Sequence, residues 1–156
     1  MKVQTAMQLG EALATQRGAY DILVMAAAVA DFRPAASTDA KLKRADLGEK
    51  TSLELVANPD ILAQTVSLLS QEESKPIVIG FAAEVSDELE KLGRKKLLSK
   101  GCDYIVANNI GSGKVFGKDE TEVVLVYGDS AERISGTKIA VATGVLSKIA
   151  SNMGES

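Results

Sequence analysis

Residues 22–30, ILVMAAAVA, form a nearly unbroken apolar run, and two more follow at residues 77–83 (IVIGFAA) and 104–107 (YIVA). Runs of this length suit strands buried on both faces, as in a parallel sheet. Helical patterns separate them. Val3, Ala6, Met7, Leu9 and Ala12 fall close to helical spacing near the start. Asn58 is a good N-cap, Pro59 stands where the first helical position accepts proline, and Ile61, Leu62, Val66 and Leu69 continue the pattern. A further helix is predicted over residues 87–100, with Gly101 placed to end it. Strands alternating with helices predict an α/β fold: a Rossmann-like, largely parallel sheet flanked by helices, with right-handed crossovers.

After Asn109 the texture changes. Residues 122–127, EVVLVY, read as another strand and residues 139–149 as a closing helix, although Val141, Thr143 and Gly144 disfavour helix. Residues 33–51 are polar, lack steady periodicity and carry the basic cluster Lys41, Lys43 and Arg44. So long an excursion between strand and helix predicts a lid or flap.

Composition narrows the chemistry. The chain has 156 residues, enough for one domain, with 46% apolar and 25% charged residues. A net charge of -3 argues against a general nucleic-acid footprint. No run approaches the roughly 18 apolar residues of a membrane span, and the opening residues do not resemble a signal peptide, so a cytoplasmic protein is expected. The absence of histidine removes Ser-His-Asp triads, Cys-His pairs and histidine metal sites. Cys102 is the sole cysteine and reads as a small buried apolar residue.

In an open parallel sheet, ligands bind beyond the carboxyl ends of the strands. Here those ends carry Asp31, Phe81, Glu84, Asn108 and Asn109. The helix start at Asn58, Pro59 and Asp60 offers free backbone N–H groups to a phosphate, or Asn58 is only a cap. Asp31 is either a turn aspartate or an acceptor for a ligand's donor groups or for a metal ion. Lys96 and Lys100, one helical turn apart and alike in charge, are answered either by solvent and the helix C-terminus or by a bound polyphosphate. Two familiar motifs fail. Residues 111–114, GSGK, lack the earlier glycine of a Walker A loop, where Asn108 stands, and are followed by Val115. No Gly-x-Gly-x-x-Gly opens a βαβ unit, which counts against a nicotinamide enzyme.

Five strings in one order carry a resemblance: residues 26–34 (AAAVADFRP), 41–43 (KLK), 58–62 (NPDIL), 80–84 (GFAAE) and 100–108 (KGCDYIVAN). The series, covering almost the whole chain, resembles phosphopantothenoylcysteine synthetase of the bacterial type, in which this portion follows a flavin-dependent decarboxylase half. The resemblance implies a ligase of coenzyme A biosynthesis that joins 4'-phosphopantothenate to L-cysteine with CTP and Mg²⁺, through an acyl-cytidylate. It implies FMN only for the decarboxylase half. Asp31 and Phe81 would belong to the nucleotide site, with Asp31 near the base or a metal ion. Pro59, Asp60, Ile61 and Leu62 would line the cytidine pocket. Lys41 would be the catalytic flap lysine, Lys96 and Lys100 would hold the triphosphate, and Ala27 and Ala28 would lie beside pantothenate. Lys95, next to Lys96, leaves that alignment less certain.

The resemblance also implies a homodimer, for which residues 122–127 are the candidate contact. Arg44 stands where the family commonly has lysine. The family's amino-terminal section, with its Gly-rich opening and a substrate-handling asparagine, has no counterpart. Residues 1–156 are therefore expected to be a CTP-binding ligase domain that binds nucleotide without ligating alone. The other readings are a dinucleotide-binding oxidoreductase-like domain and a non-catalytic nucleotide-binding module.

Overall fold

The computed structural model describes residues 1–36, 43, 49–111 and 119–154. The chain opens with α1 (Ala6–Thr15), started by a capping box in which Gln8 N donates to Thr5 Oγ1 at 3.1 Å and Thr5 N to Gln8 Oε1 at 3.2 Å. There follow β1 (Ile22–Met25), β2 (Phe32–Pro34), β3 (Leu55–Ala57), α2 (Ile61–Leu69), β4 (Ile77–Glu84), α3 (Leu89–Lys100), β5 (Tyr104–Asn109), β6 (Glu120–Tyr127), β7 (Ser130–Thr137) and α4 (Lys138–Gly154). The main sheet has five strands in the order β1-β4-β5-β6-β7, and β2 with β3 forms a separate antiparallel ribbon.

β1, β4 and β5 run parallel, as expected, and β6 and β7 each pair antiparallel with the strand before them, so the sheet is mixed with β6 alone reversed among the described strands. The reason is local: Gly128, at φ 47°, joins β6 to β7 by a two-residue loop between the paired Tyr127 and Ser130, and so short a link returns the chain antiparallel.

Period-two alternation divides the core. Val78 and Ala82 of β4, Ile105 and Ala107 of β5, and Val124 and Val126 of β6 face one layer, which Leu89 and Leu97 of α3 cover. Ile79, Tyr104, Val106, Val123 and Leu125 face the other, covered by Val141, Val145 and Ile149 of α4. That burial overrides the weak helix propensity of Val141, Thr143 and Gly144, and the helix runs past its expected bounds.

Three expectations need correction. The apolar run of residues 22–30 predicts one doubly buried strand, but β1 is only Ile22–Met25 and lies at the sheet edge, with Ile22 40% and Val24 48% exposed. Pairing ends at Met25, and residues 26–31 leave the sheet to form a wall of the cleft described below. Residues 122–127 were the candidate subunit contact, yet they lie in β6, an interior strand bonded to β5 and β7, with Val123, Val124, Leu125 and Val126 buried. From Val123 to Tyr127 both backbone edges of β6 are taken by its neighbours. Asn58 does not cap α2; Asp60 does, accepting from Ala63 N at 3.1 Å. β7 was not foreseen, since its polar sequence SAERISGT has the exposed pattern of an edge strand.

Cys102 is buried beneath α3, and desolvation pushes its thiol up to about 11. A disulfide reagent at pH 8 is expected to leave it unmodified in the native protein and to react fully once denaturant is added. Rapid stoichiometric reaction of the native chain would refute the burial. Because the unfolded thiol ionises first, this group lowers stability as pH rises from about 9 towards 11.

Candidate active site

The carboxyl ends of β1 and β4 open into a cleft of about 640 Å³. One wall is the chain leaving β1, including Ala27, Ala28 and Asp31; the second is the start of α2, with Pro59, Asp60, Ile61 and Leu62. Phe81 of β4 and the lysines Lys96 and Lys100 of α3 complete it. The structure therefore brings Ala27, Ala28, Asp31, the residues from Asn58 to Leu62, Phe81, Lys96, Lys100 and Asn108 to one cleft, which Lys43, Glu84 and Asn109 do not line. Lys41 lies outside the described residues, as does Arg44.

Each wall has a cause in the sequence. Asp60 caps α2 and so fixes where the helix begins. Gly80 lets α2 approach β4, because a Cβ there would stand 2.8 Å from both Leu62 Cδ2 and Ile105 Cδ1. Gly101, at φ 69°, ends α3 in the left-handed conformation directly after Lys100. Lys96 and Lys100, one turn apart on α3, both line the cleft, and Lys95 does not.

The electrostatics differ from a bare cationic patch. Lys96 Nζ lies 2.8 Å from Glu84 Oε1, and Lys100 Nζ is hydrogen bonded to Asp60 Oδ2. The like-charged lysines are thus answered by carboxylates from two different elements. Partial burial pushes the Asp60 carboxyl upward, but its hydrogen bonds from Lys100 and Ala63 N and the Lys100 charge outweigh this and hold it below its ordinary value. Its contribution to stability is present above the unfolded value of 3.8 and is lost as pH falls through the lower native value. Asp60→Asn, which keeps a capping side chain, is expected to flatten the loss of stability below about pH 4, measured by denaturant unfolding between pH 2 and 5. An unchanged acid limb would contradict it.

The pairings of several polar residues around the cleft are not legible in the sequence. Asn58 Nδ2 donates to Ala30 O at 2.8 Å, Asn58 N donates to Asp31 O at 2.7 Å, and Arg33 Nη1 donates to Asn58 Oδ1 at 3.1 Å. These bonds tie the two walls together, a role that the local pattern could not distinguish from capping. Asn108 also lines the cleft, and Glu84 pairs with Lys96; both were visible as polar residues at strand ends, but nothing in the sequence gave them partners. On the exposed face of α3, Lys91 pairs with Glu88 at 3.3 Å and Arg94 with Glu90 at 3.4 Å, while the Asp87 carboxylate accepts from Asn109 Nδ2 at 2.9 Å.

Residues 1–153 match the family described as the DNA/pantothenate metabolism flavoprotein C-terminal domain. The chain belongs to this family. Its relatives in the flavoprotein C-terminal domain family include the coenzyme A biosynthesis bifunctional protein CoaBC of Mycobacterium bovis, 38% identical over 154 residues, which cover 94% of this chain and 37% of that protein. The chain thus spans under two fifths of that relative's length. A crystal structure of the C-terminal domain of a CoaBC protein is 27% identical and superposes with a TM-score of 0.71, covering 100% of this chain and 66% of that one. The DNA/pantothenate metabolism flavoprotein of Streptococcus pneumoniae shares the fold, at 22% identity and a TM-score of 0.77, over 97% of this chain and 72% of its own.

Proposed function

We propose that this chain is the CTP-binding portion of a phosphopantothenate–cysteine ligase in coenzyme A biosynthesis. The observation that carries the reading is the meeting of Lys96 and Lys100 with Asp31, Phe81 and the start of α2 in one cleft at the sheet's carboxyl end. Pro59, Asp60, Ile61 and Leu62 line the side suited to a flat base. The first-turn N–H groups of Ile61 and Leu62 have no acceptor within the helix, whereas Asp60 takes the N–H of Ala63. The α2 N-terminus therefore serves the cytidine better than a phosphate, whose place Asp60 fills. Ala27 and Ala28 let pantothenate approach the backbone.

The chemistry needs positioning and charge stabilisation, not a histidine. The substrate carboxylate attacks the α-phosphorus of CTP, pyrophosphate leaves, and an acyl-cytidylate forms. The amine of L-cysteine then attacks the acyl carbon, loses a proton and expels CMP. Lys96 and Lys100 neutralise charge on the departing pyrophosphate, and Lys41 is assigned the catalytic role at the reacting phosphate. Among the described residues no group of three or more acidic or cysteine side chains could hold a metal by itself. Mg²⁺ taken up with a polyphosphate needs only one or two protein carboxylates, and Asp31 fits that part, being exposed in the cleft while Asp60 and Glu84 are engaged. Held there, the metal would supply positive charge that offsets the charge of the polyphosphate.

We further read residues 1–156 as the nucleotide-binding domain of a cytoplasmic homodimer that ligates only in its longer form. Among the described residues no helix is long and apolar enough to cross a membrane. Calorimetric titration with CTP and with ATP, each with Mg²⁺, tests the central claim. CTP is expected to bind at least tenfold more tightly, about 1.4 kcal/mol. No heat with CTP, or equal binding of ATP, would refute it.

A further inference from the structure

The two lysines of the cleft do not offer free charge. Glu84, the last residue of β4, places Oε1 2.8 Å from Lys96 Nζ, with its side chain only 20% exposed. Asp60, on another element, engages Lys100 in the same way. Asp60 has a second duty as the α2 cap, which accounts for its presence. Glu84 has none: among the described residues its carboxylate makes no hydrogen bond or ion pair other than that with Lys96. A half-buried carboxylate beside a lysine that faces a polyphosphate site opposes the ligand's charge, unless its use lies in the lysine itself.

Resting on the nucleotide reading above, we propose that Glu84 is a positioning residue acting through Lys96, a resident counter-ion that anchors the ammonium at the cleft and that a polyphosphate must displace or share. A lysine ammonium has three donors, and Glu84 takes one in a fixed direction. The cleft therefore exchanges one anion for another when polyphosphate binds. Exchange gains less than addition to a bare cation, so the site holds pyrophosphate weakly enough to release it.

The consequence is a dependence on phosphate charge. Glu84→Gln keeps an acceptor in place and removes the charge. It is expected to tighten binding of inorganic triphosphate about fivefold in buffer without divalent cations, while leaving CMP nearly unchanged. A purely structural role would move both ligands alike. Because Glu84 acts through Lys96, the gain should vanish when Glu84→Gln is made on a Lys96→Met background. Glu84→Asp, which draws the carboxylate back by about one methylene, should move triphosphate affinity in the same direction by less and serves if the first variant folds poorly in thermal melts.

The inference is overturned if triphosphate binding is unchanged or weaker in the folded variants, if CMP gains equally, if the gain survives without Lys96, or if the unaltered chain binds no triphosphate. A chain that binds triphosphate but not CTP would instead sink the cytidine assignment and leave this inference standing. CTP binding with no response to Glu84→Gln would do the reverse.

Discussion

Replacing Lys100 with alanine is expected to weaken CTP binding roughly 30-fold, while leaving the fold intact. The size follows from the charge-assisted hydrogen bond that is lost, about 2 kcal/mol at a partly desolvated site. Lys100 sits in the last turn of α3, held in place by the Gly101 cap on one side and by Asp60 on the other, so its ammonium is aimed before any nucleotide arrives. The cost to stability is small. The ion pair is partly exposed, with side chains 30% and 43% accessible, and such pairs contribute about 1 kcal/mol or less. Asp60 keeps its hydrogen bond from Ala63 N and so still caps α2. Lys95→Ala is the control, because Lys95 is exposed on α3 outside the cleft and removes the same charge from the same helix. Calorimetry on both variants separates a local contact from general electrostatics. Equal losses for Lys95 and Lys100, or no loss for Lys100, would remove Lys100 from the nucleotide site.

Much of this site was legible because the sequence places its parts at strand ends and helix starts, where an α/β sheet gathers ligands. Phe81, Asp31 and the residues from Pro59 to Leu62 could each be put on an element, and the elements converge as expected. What could not be read was pairing across elements. Glu84 and Lys96 are twelve positions apart, and Asp60 and Lys100 forty, as the latter hydrogen bond records. No local pattern announces either bond. The same limit explains Asn58, whose best local use is a cap but whose side chain reaches instead to Ala30. β7 escapes a local reading for a related reason: it is an edge strand with a polar outer face, and its sequence resembles loop until β6 is there to pair with it. For β1, apolar content was taken for burial, whereas only Met25 of that strand is buried.

Replacing Gly93 with valine is expected to destabilise the chain by about 3 kcal/mol or more, a larger effect on stability than any charge substitution in the cleft. Gly93 is a buried position in the middle of α3, where intrinsic propensity favours alanine by about 1 kcal/mol. Glycine there is explained by what lies beneath it. A Cβ would stand 2.9 Å from Val126 Cγ2 and 3.4 Å from Ala107 Cβ. Both neighbours are fully buried, Val126 and Ala107 at 0% exposure, and both sit on interior strands of the sheet. Val126 is β-branched and short, so it has no flexible end to swing away, in contrast to Leu62 and Ile105 opposite Gly80. The added methyl groups of valine would have to lift α3 from β5 and β6. That displacement would carry Lys96 and Lys100 with it, because both project from the same helix. Denaturant unfolding gives the stability loss, and CTP titration of the remaining folded protein gives the second effect. Full stability with full CTP binding would mean that α3 does not rest on Val126 and Ala107 as closely as described. Loss of CTP affinity in a variant that stays folded would show that the spacing between α3 and the sheet sets the reach of the two lysines.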